Sequence, residues 1–384
     1  MTEPITYIDT AEDLAALARH LAGAPWLCVD TEFIRDRTYF PQLCLLQVAG
    51  PDTVACIDTL AVGDLDPLLE VLYAPESTKV LHAAHQDLEI LFHLRGEVPA
   101  PVFDTQIAAA LLGYSDQIGY ANLVEQMLDV RLDKAHTRAD WSARPLPEAQ
   151  LRYAADDVIH LRDVYQAQRR ALHRLGRLDW LEQDFTALSD PVRYRVEPER
   201  CWLRVKDARG LKGRQLAVLQ ALAAWREERA RRLDRPRRWV LRDDLLVELA
   251  RAQPESREAL RRIRGLDETA IKRLGGELLG AIEGGRAAPR EQWPEPEPRP
   301  RLTPHQDALV DAMMALVRVC AADAGLSPTL LASRRTLERL AAGDRRAEVL
   351  HGWRATVVGE RLRALLHGEA CLTVDAGRLV PRPI

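Results

Sequence analysis

The sequence predicts an α/β fold with a mixed sheet, followed by all-helical blocks. Three observations carry that expectation. Short apolar runs of strand length recur through the first part of the chain, at 26–33, 43–49, 53–58, 79–84 and 102–104, and they alternate later with helical stretches, as in a layered α/β domain. Helical periodicity then dominates from about 147 to 188. Finally, Trp293-Pro-Glu-Pro-Glu-Pro-Arg-Pro-Arg301 interrupts the helical half, and alternate prolines favour an extended, semi-rigid linker.

The first run, Trp26-Leu-Cys-Val-Asp-Thr-Glu-Phe33, carries two acids at i and i+2. In a strand these share a face, so Asp30 and Glu32 project together while Val29, Thr31 and Phe33 point the other way. The apolar neighbours place the pair at the end of a buried strand. Carboxylates held close together there repel, and one protonates unless a cation compensates. A hard divalent cation with oxygen ligands is therefore the preferred reading over a solvated acidic edge.

The run at 79–84 leads through His82-Ala-Ala-His-Gln-Asp-Leu88 into Leu88-Glu-Ile-Leu-Phe92. Asp87 thus sits where a strand gives way to a helix, a position where the macrodipole favours an acid. His82 and His85 beside it read as packing or hydrogen-bonding groups. After Pro147, Leu151, Ala154, Ala155, Val158 and Leu161 recur at helical spacing. Tyr153 and Asp157 are four apart and share a face. Asp157 borders the apolar stripe and points toward the domain, whereas Asp156 falls on the polar side beside Arg152, where an ion pair explains it. Further helices are expected over 213–232, from Trp239 to Ala250, and from Thr303 to about His367.

Length and composition bound the rest. A chain of 384 residues implies more than one domain. No run is long and apolar enough to span a membrane, and the start Met1-Thr-Glu-Pro lacks the features of a signal peptide. Six scattered cysteines with no C-x-x-C pair argue against zinc and for a reduced, cytoplasmic setting. Charge is unevenly divided: residues 1–192 hold 15 Lys+Arg against 30 Asp+Glu, residues 193–290 hold 25 against 15, and residues 291–384 hold 13 against 12. An acidic half is joined to a basic middle, which suits a partner that is a polyanion. Within that middle, the arginine-rich stretch 229–238 offers phosphate contacts, and Trp239 either stacks on a base or packs in the bundle, the latter being preferred.

With Asp30, Glu32, Asp87, Tyr153 and Asp157 in order along the chain, the sequence resembles ribonuclease D, in the tyrosine-bearing branch of the DEDD exonuclease superfamily. The segments Thr31-Glu-Phe-Ile-Arg-Asp-Arg-Thr-Tyr-Phe-Pro-Gln42 and Asp133-Lys-Ala-His-Thr-Arg-Ala-Asp-Trp-Ser-Ala-Arg-Pro-Leu146 resemble that family's first motif and the approach to its third. His136 departs from it, standing where a small residue is expected. Val240-Leu-Arg-Asp-Asp-Leu-Leu-Val-Glu-Leu-Ala-Arg251 with Ile263-Arg-Gly-Leu266 resembles an HRDC domain, and the last helical block is placed as a second, more divergent one.

The resemblance implies a ribonuclease-H-like exonuclease domain over 1–195, HRDC bundles over 208–288 and 303–380, and a proline-rich linker over 289–302. It also implies two divalent metal ions, Mg²⁺ or Mn²⁺. Asp30 would bridge both, Glu32 and Asp157 would complete one site, and Asp87 would hold the other. Tyr153 would orient the attacking water, since a phenol of ordinary pKa about 10 is a poor base at neutral pH. Phe33 is a candidate for contact with the terminal base, and Lys134, Arg138 and Arg144 for contact with phosphate; Gln42 and Gln47 are expected to make structural hydrogen bonds. The implied activity is a 3′→5′ exoribonuclease that trims precursor tRNA and other structured RNA to 5′-mononucleotides. The alternatives are a DNA 3′→5′ exonuclease on the same metal site and an inactive RNA-binding scaffold.

Overall fold

The computed structural model describes residues 4–133, 139–295 and 300–384; Lys134, His136 and Arg138 lie outside the described residues. Six strands form one sheet: β1 (Thr6–Ile8), β2 (Trp26–Ile34), β3 (Gln42–Ala49), β4 (Val54–Asp58), β5 (Thr78–Leu81) and β6 (Val102–Asp104). Their order is β1-β4-β3-β2-β5-β6. β4 pairs antiparallel with β3, whereas β1 with β4, β2 with β5 and β5 with β6 are parallel. The sheet is mixed, as expected. From Leu43 to Ala49 every residue of β3 is buried, as is all of β4. Burial on both faces explains why these strands read as continuous apolar runs rather than alternating ones.

Around the sheet stand α1 (Ala11–Leu21), α2 (His85–Arg95), α3 (Tyr120–Leu128) and α4 (Glu148–Arg174). The expected strand at 79–84 stops at Leu81. Ala83 turns to φ +54°, and the Asp104 carboxylate catches this turn by accepting from the Ala83 and Ala84 backbone N–H groups at 3.1 and 2.9 Å. That bend delivers the chain into α2, with Asp87 in its first turn.

The chain divides into two compact units. One combines the α/β residues, apart from Phe33–Gln42, with the C-terminal block. That block opens with α8 (Pro304–Ala324), started by a Thr303–Gln306 capping box of the reciprocal kind that satisfies two orphan N–H groups. It ends in a hairpin, β7 (Ala370–Asp375) with β8 (Arg378–Pro383), a pair of strands absent from the sequence expectation. Trp180 stacks on Trp353 with centroids 4.8 Å apart and planes 3° from parallel. Arg177 donates to the Leu111 carbonyl at 2.7 Å and to the Ala324 carbonyl at 2.6 Å. Gly113 approaches so closely that a Cβ there would lie 2.7 Å from the Gly325 oxygen. Block and α/β domain therefore share a tight seam.

The other unit holds Phe33–Gln42 and the chain from Val192 to the proline-rich linker. Its helices α5 (Arg214–Arg232), α6 (Asp243–Ala252) and α7 (Glu268–Ala287) pack Leu219, Leu222, Leu246, Leu249, Leu274 and Leu278 into one apolar core. The single helix expected from Trp239 is two: a short turn at Arg237–Val240, then α6 from Asp243. Trp239 is 54% exposed and does not pack in the bundle, correcting the preferred sequence reading. The loop residue Tyr39 is anchored here, its hydroxyl donating to Glu227 while the Arg237 guanidinium grips the same carboxylate at 2.5 and 2.7 Å.

Candidate active site

Strand periodicity brings Asp30 and Glu32 to one face of β2, and α4 brings Asp157 to meet them. Carboxylate oxygens of these three lie within 4.8 Å of one another. Asp87 arrives from α2 and is fastened to the same strand from behind: Thr31, between the two acids, donates its hydroxyl to Asp87 Oδ1 at 2.5 Å. Asp156, one residue before Asp157, instead pairs with Arg152 at 2.7 Å, the arrangement expected from the helical wheel.

The electrostatics are those of acids crowded together out of water. Burial, then repulsion from Asp157, Asp87 and Glu32, holds Asp30 well above the usual carboxylate range. Burial, then Asp157 and Asp87, pushes Glu32 up to about 8. Burial, then Asp156 and Asp87, raises Asp157 to about 7. Burial also raises Asp87, to about 6, against the opposing pull of the Thr31 hydrogen bond. Among the described residues no Lys or Arg forms an ion pair with any of the four. An all-oxygen, multiply anionic donor set of this kind fits a hard divalent cation, which would restore all four to the charged form.

Tyr153 precedes Asp157 by one helical turn. It lines a cavity of about 210 Å³ together with Leu132, Asp133, Arg152 and Asp157, and its ring lies 6.2 Å from that of buried Trp141. Phe33 continues β2 directly after Glu32 and is half-buried.

Two expectations fail. Arg144 is not available to substrate: its guanidinium holds Asp58 at 2.5 and 2.7 Å and also donates to the Cys44 and Trp141 carbonyls. Gln47 is fully buried, and neither of its amide atoms finds a hydrogen-bond partner among the described residues. Two residues of the site escaped the sequence reading. Thr31 faces away from the acids beside it, and its only signal was a hydroxyl in a buried strand. Tyr120 carried no local signal. It opens α3, donates its hydroxyl to the Asp156 carbonyl at 3.2 Å, and packs at a tilt against His82, with centroids 5.4 Å apart and planes at 59°. Burial and then the nearby Asp157 charge push its phenol well up, which keeps it neutral beside the cluster. His82 is hydrogen-bonded to Thr105 and to the Ile118 carbonyl, in keeping with the expected packing or hydrogen-bonding role.

Comparison with known proteins agrees with this geometry. Residues 5–173 match the 3′-5′ exonuclease family and residues 215–282 match the HRDC domain. The chain is 45% identical over 380 residues to ribonuclease D of Gluconacetobacter diazotrophicus, covering 97% of this chain and 95% of that one. It is 43% identical to ribonuclease D of Acidiphilium cryptum, covering 98% and 96%. Its structure superimposes on the crystal structure of Escherichia coli RNase D, described as an exoribonuclease involved in structured RNA processing, with a TM-score of 0.83, 34% identity and coverage of 96% and 99%. The chain belongs to the ribonuclease D family of 3′→5′ exoribonucleases.

Proposed function

We propose that this protein trims structured RNA from the 3′ end in the cytoplasm, with precursor tRNA among its substrates, and releases 5′-mononucleotides. The observation that carries the reading is the convergence of Asp30, Glu32 and Asp157, with Asp87 held beside them by Thr31. Two divalent ions, Mg²⁺ or Mn²⁺, fit this donor set, and when bound they supply an activated water and relieve charge on the departing 3′-oxygen. Asp30, Glu32, Asp87 and Asp157 would hold them, and the Thr31 hydroxyl, bonded to Asp87, keeps that carboxylate from turning away. Tyr153 orients the incoming water with its hydroxyl and leaves proton removal to other groups, since an ordinary phenol stays protonated at neutral pH.

Phe33 meets the terminal base, and Lys134 and Arg138 meet phosphate; Arg144, tied to Asp58, has left that group. The catalytic domain spans 1–195, the first HRDC domain 208–288 and an HRDC-like domain 303–380, joined by a linker over 289–302. The basic middle of the chain draws in RNA that the acidic half repels. The structured-RNA role of the Escherichia coli relative supports the choice of substrate, and cysteines that form no disulfide among the described residues suit a reducing compartment.

Digestion of 5′-labelled RNA and matched DNA with Mg²⁺, with Mn²⁺ and with EDTA tests this. A metal-dependent ladder shortening from the RNA 3′ end, with DNA spared, is expected. Equal digestion of DNA would replace RNA processing with a repair-type activity, and a bound but uncut RNA would replace the enzyme with a scaffold.

A further inference from the structure

Three cavities adjoin one another in the unit built from Phe33–Gln42 and the chain after Val192, and Arg204 lines all of them. The first, about 430 Å³, lies between the loop residues Arg35 and Thr38 and the turn that carries Arg238 and Trp239. The second, about 330 Å³, and the third, about 710 Å³, are walled by residues between Val192 and Leu211, with Leu216 added in the third. Together the walls carry ten basic side chains against four acidic ones.

Three of those four acids are already satisfied. Glu227 is gripped by Arg237 and Tyr39, Asp243 is paired with Arg226 at 2.7 Å, and Glu197 is 3.8 Å from Arg200. Arg204 and Arg238 are exposed and pair with no carboxylate among the described residues, so their charge is directed at whatever enters. Trp239 stands exposed beside Arg238, and Leu203 beside Arg204. An indole left in water next to unpaired guanidinium groups is costly for the protein alone and suits a ligand with both aromatic faces and anionic links.

We infer that these cavities form one groove for a single-stranded stretch of RNA. Backbone phosphates lie along Arg204 and its basic neighbours, and an unpaired base stacks on Trp239. The inference rests on RNA being the substrate and adds where the chain grips it away from the carboxylate cluster. A duplex does not fit the same features, because its bases are already stacked and unavailable to the indole. The groove reads no sequence, since phosphates carry none and every base has a stacking face.

The test is fluorescence anisotropy of an unstructured RNA oligomer with the full chain in EDTA, across a range of salt. Binding is then read without hydrolysis, and a failed cleavage assay would count against the exonuclease reading alone. Arg204→Glu is expected to weaken binding roughly tenfold and to lower the salt slope by about one. Trp239→Ala should weaken it about fivefold with the slope unchanged. Arg264→Glu, an exposed arginine of the same unit outside the groove, should cost less than about twofold. If Arg204→Glu does no more than Arg264→Glu, general charge is at work and the groove is overturned. If neither Arg204→Glu nor Trp239→Ala alters RNA affinity, RNA does not run along this face and the inference is wrong.

Discussion

Buried acids are treated in opposite ways in the two units. Glu227 is almost fully buried, yet Arg237 clasps it with two nitrogens and Tyr39 adds a hydroxyl. Burial works to raise its pKa, but those bonds win and hold the carboxyl below its ordinary range. Asp30, Glu32, Asp87 and Asp157 meet the same loss of water without an ion pair to a cationic side chain among the described residues, and all four are pushed up. The difference separates an acid that serves the fold from acids that serve a ligand. Glu227 finds its countercharge inside the protein and holds a loop in place. The cluster leaves its countercharge to be supplied, which is the state a site for divalent cations requires.

Asp157 is the ligand whose loss should have the largest effect. Asp157→Asn keeps the shape and removes one ligand charge; hydrolysis of labelled RNA should fall roughly 10³-fold while RNA affinity stays within about twofold. Retained turnover would remove Asp157 from the ligand set. Next in size, Glu227→Ala strands Arg237 in a half-buried setting and should cost about 2 kcal/mol, read as a lower denaturation midpoint, the partial exposure of Arg237 tempering the full cost of breaking a buried pair. No loss of stability would mean that the Tyr39 anchor is incidental.

The two groups should also impose opposite pH dependence. A depressed acid such as Glu227 stabilises the fold above its ordinary pKa, and that stability disappears as pH falls through the lower folded value. The raised cluster binds more protons folded than unfolded, so its stability is intact below the ordinary carboxylate range and is lost as pH rises toward about 8. In EDTA the melting temperature should therefore drop by a few degrees between pH 5 and pH 8. Asp30→Asn should flatten most of that slope, and Mn²⁺ should raise the melting temperature more at pH 8 than at pH 5. A wild-type slope unchanged by Asp30→Asn would place its origin elsewhere. The smallest effect is expected at Thr31→Val, which deletes one hydrogen bond to a buried carboxylate and should lower kcat about tenfold with KM unchanged. A rise in KM alone would assign Thr31 to binding rather than to positioning Asp87.

What was legible in the sequence followed local periods. The i, i+2 pair on a buried run and the i, i+4 pair on an amphipathic helix give side-chain direction without any tertiary knowledge, so Asp30, Glu32, Tyr153 and Asp157 could be placed on their faces. The main strands were visible because burial on both sides makes them uniformly apolar. Features made by distant partners left no such mark. Arg144 looked like a loop arginine because Asp58, its partner, lies 86 residues away. Trp239 looked like a core residue because composition does not say that the helix breaks at Val240. The three-residue edge strand β1 and the terminal hairpin β7–β8 are too short or too exposed for a hydrophobic pattern to develop.

The seam between the α/β domain and the C-terminal block has a consequence for biosynthesis. Trp180 meets Trp353, and Arg177 meets the Ala324 carbonyl, so one side of the seam leaves the ribosome long before the other. At ordinary translation rates the gap is on the order of ten to thirty seconds. Throughout that interval the indole of Trp180 and the glycine surface at Gly113 stand bare, while the part of the second unit that follows Val192 is made in between. The nascent α/β domain must stay soluble with an open flank until the last block arrives to close it.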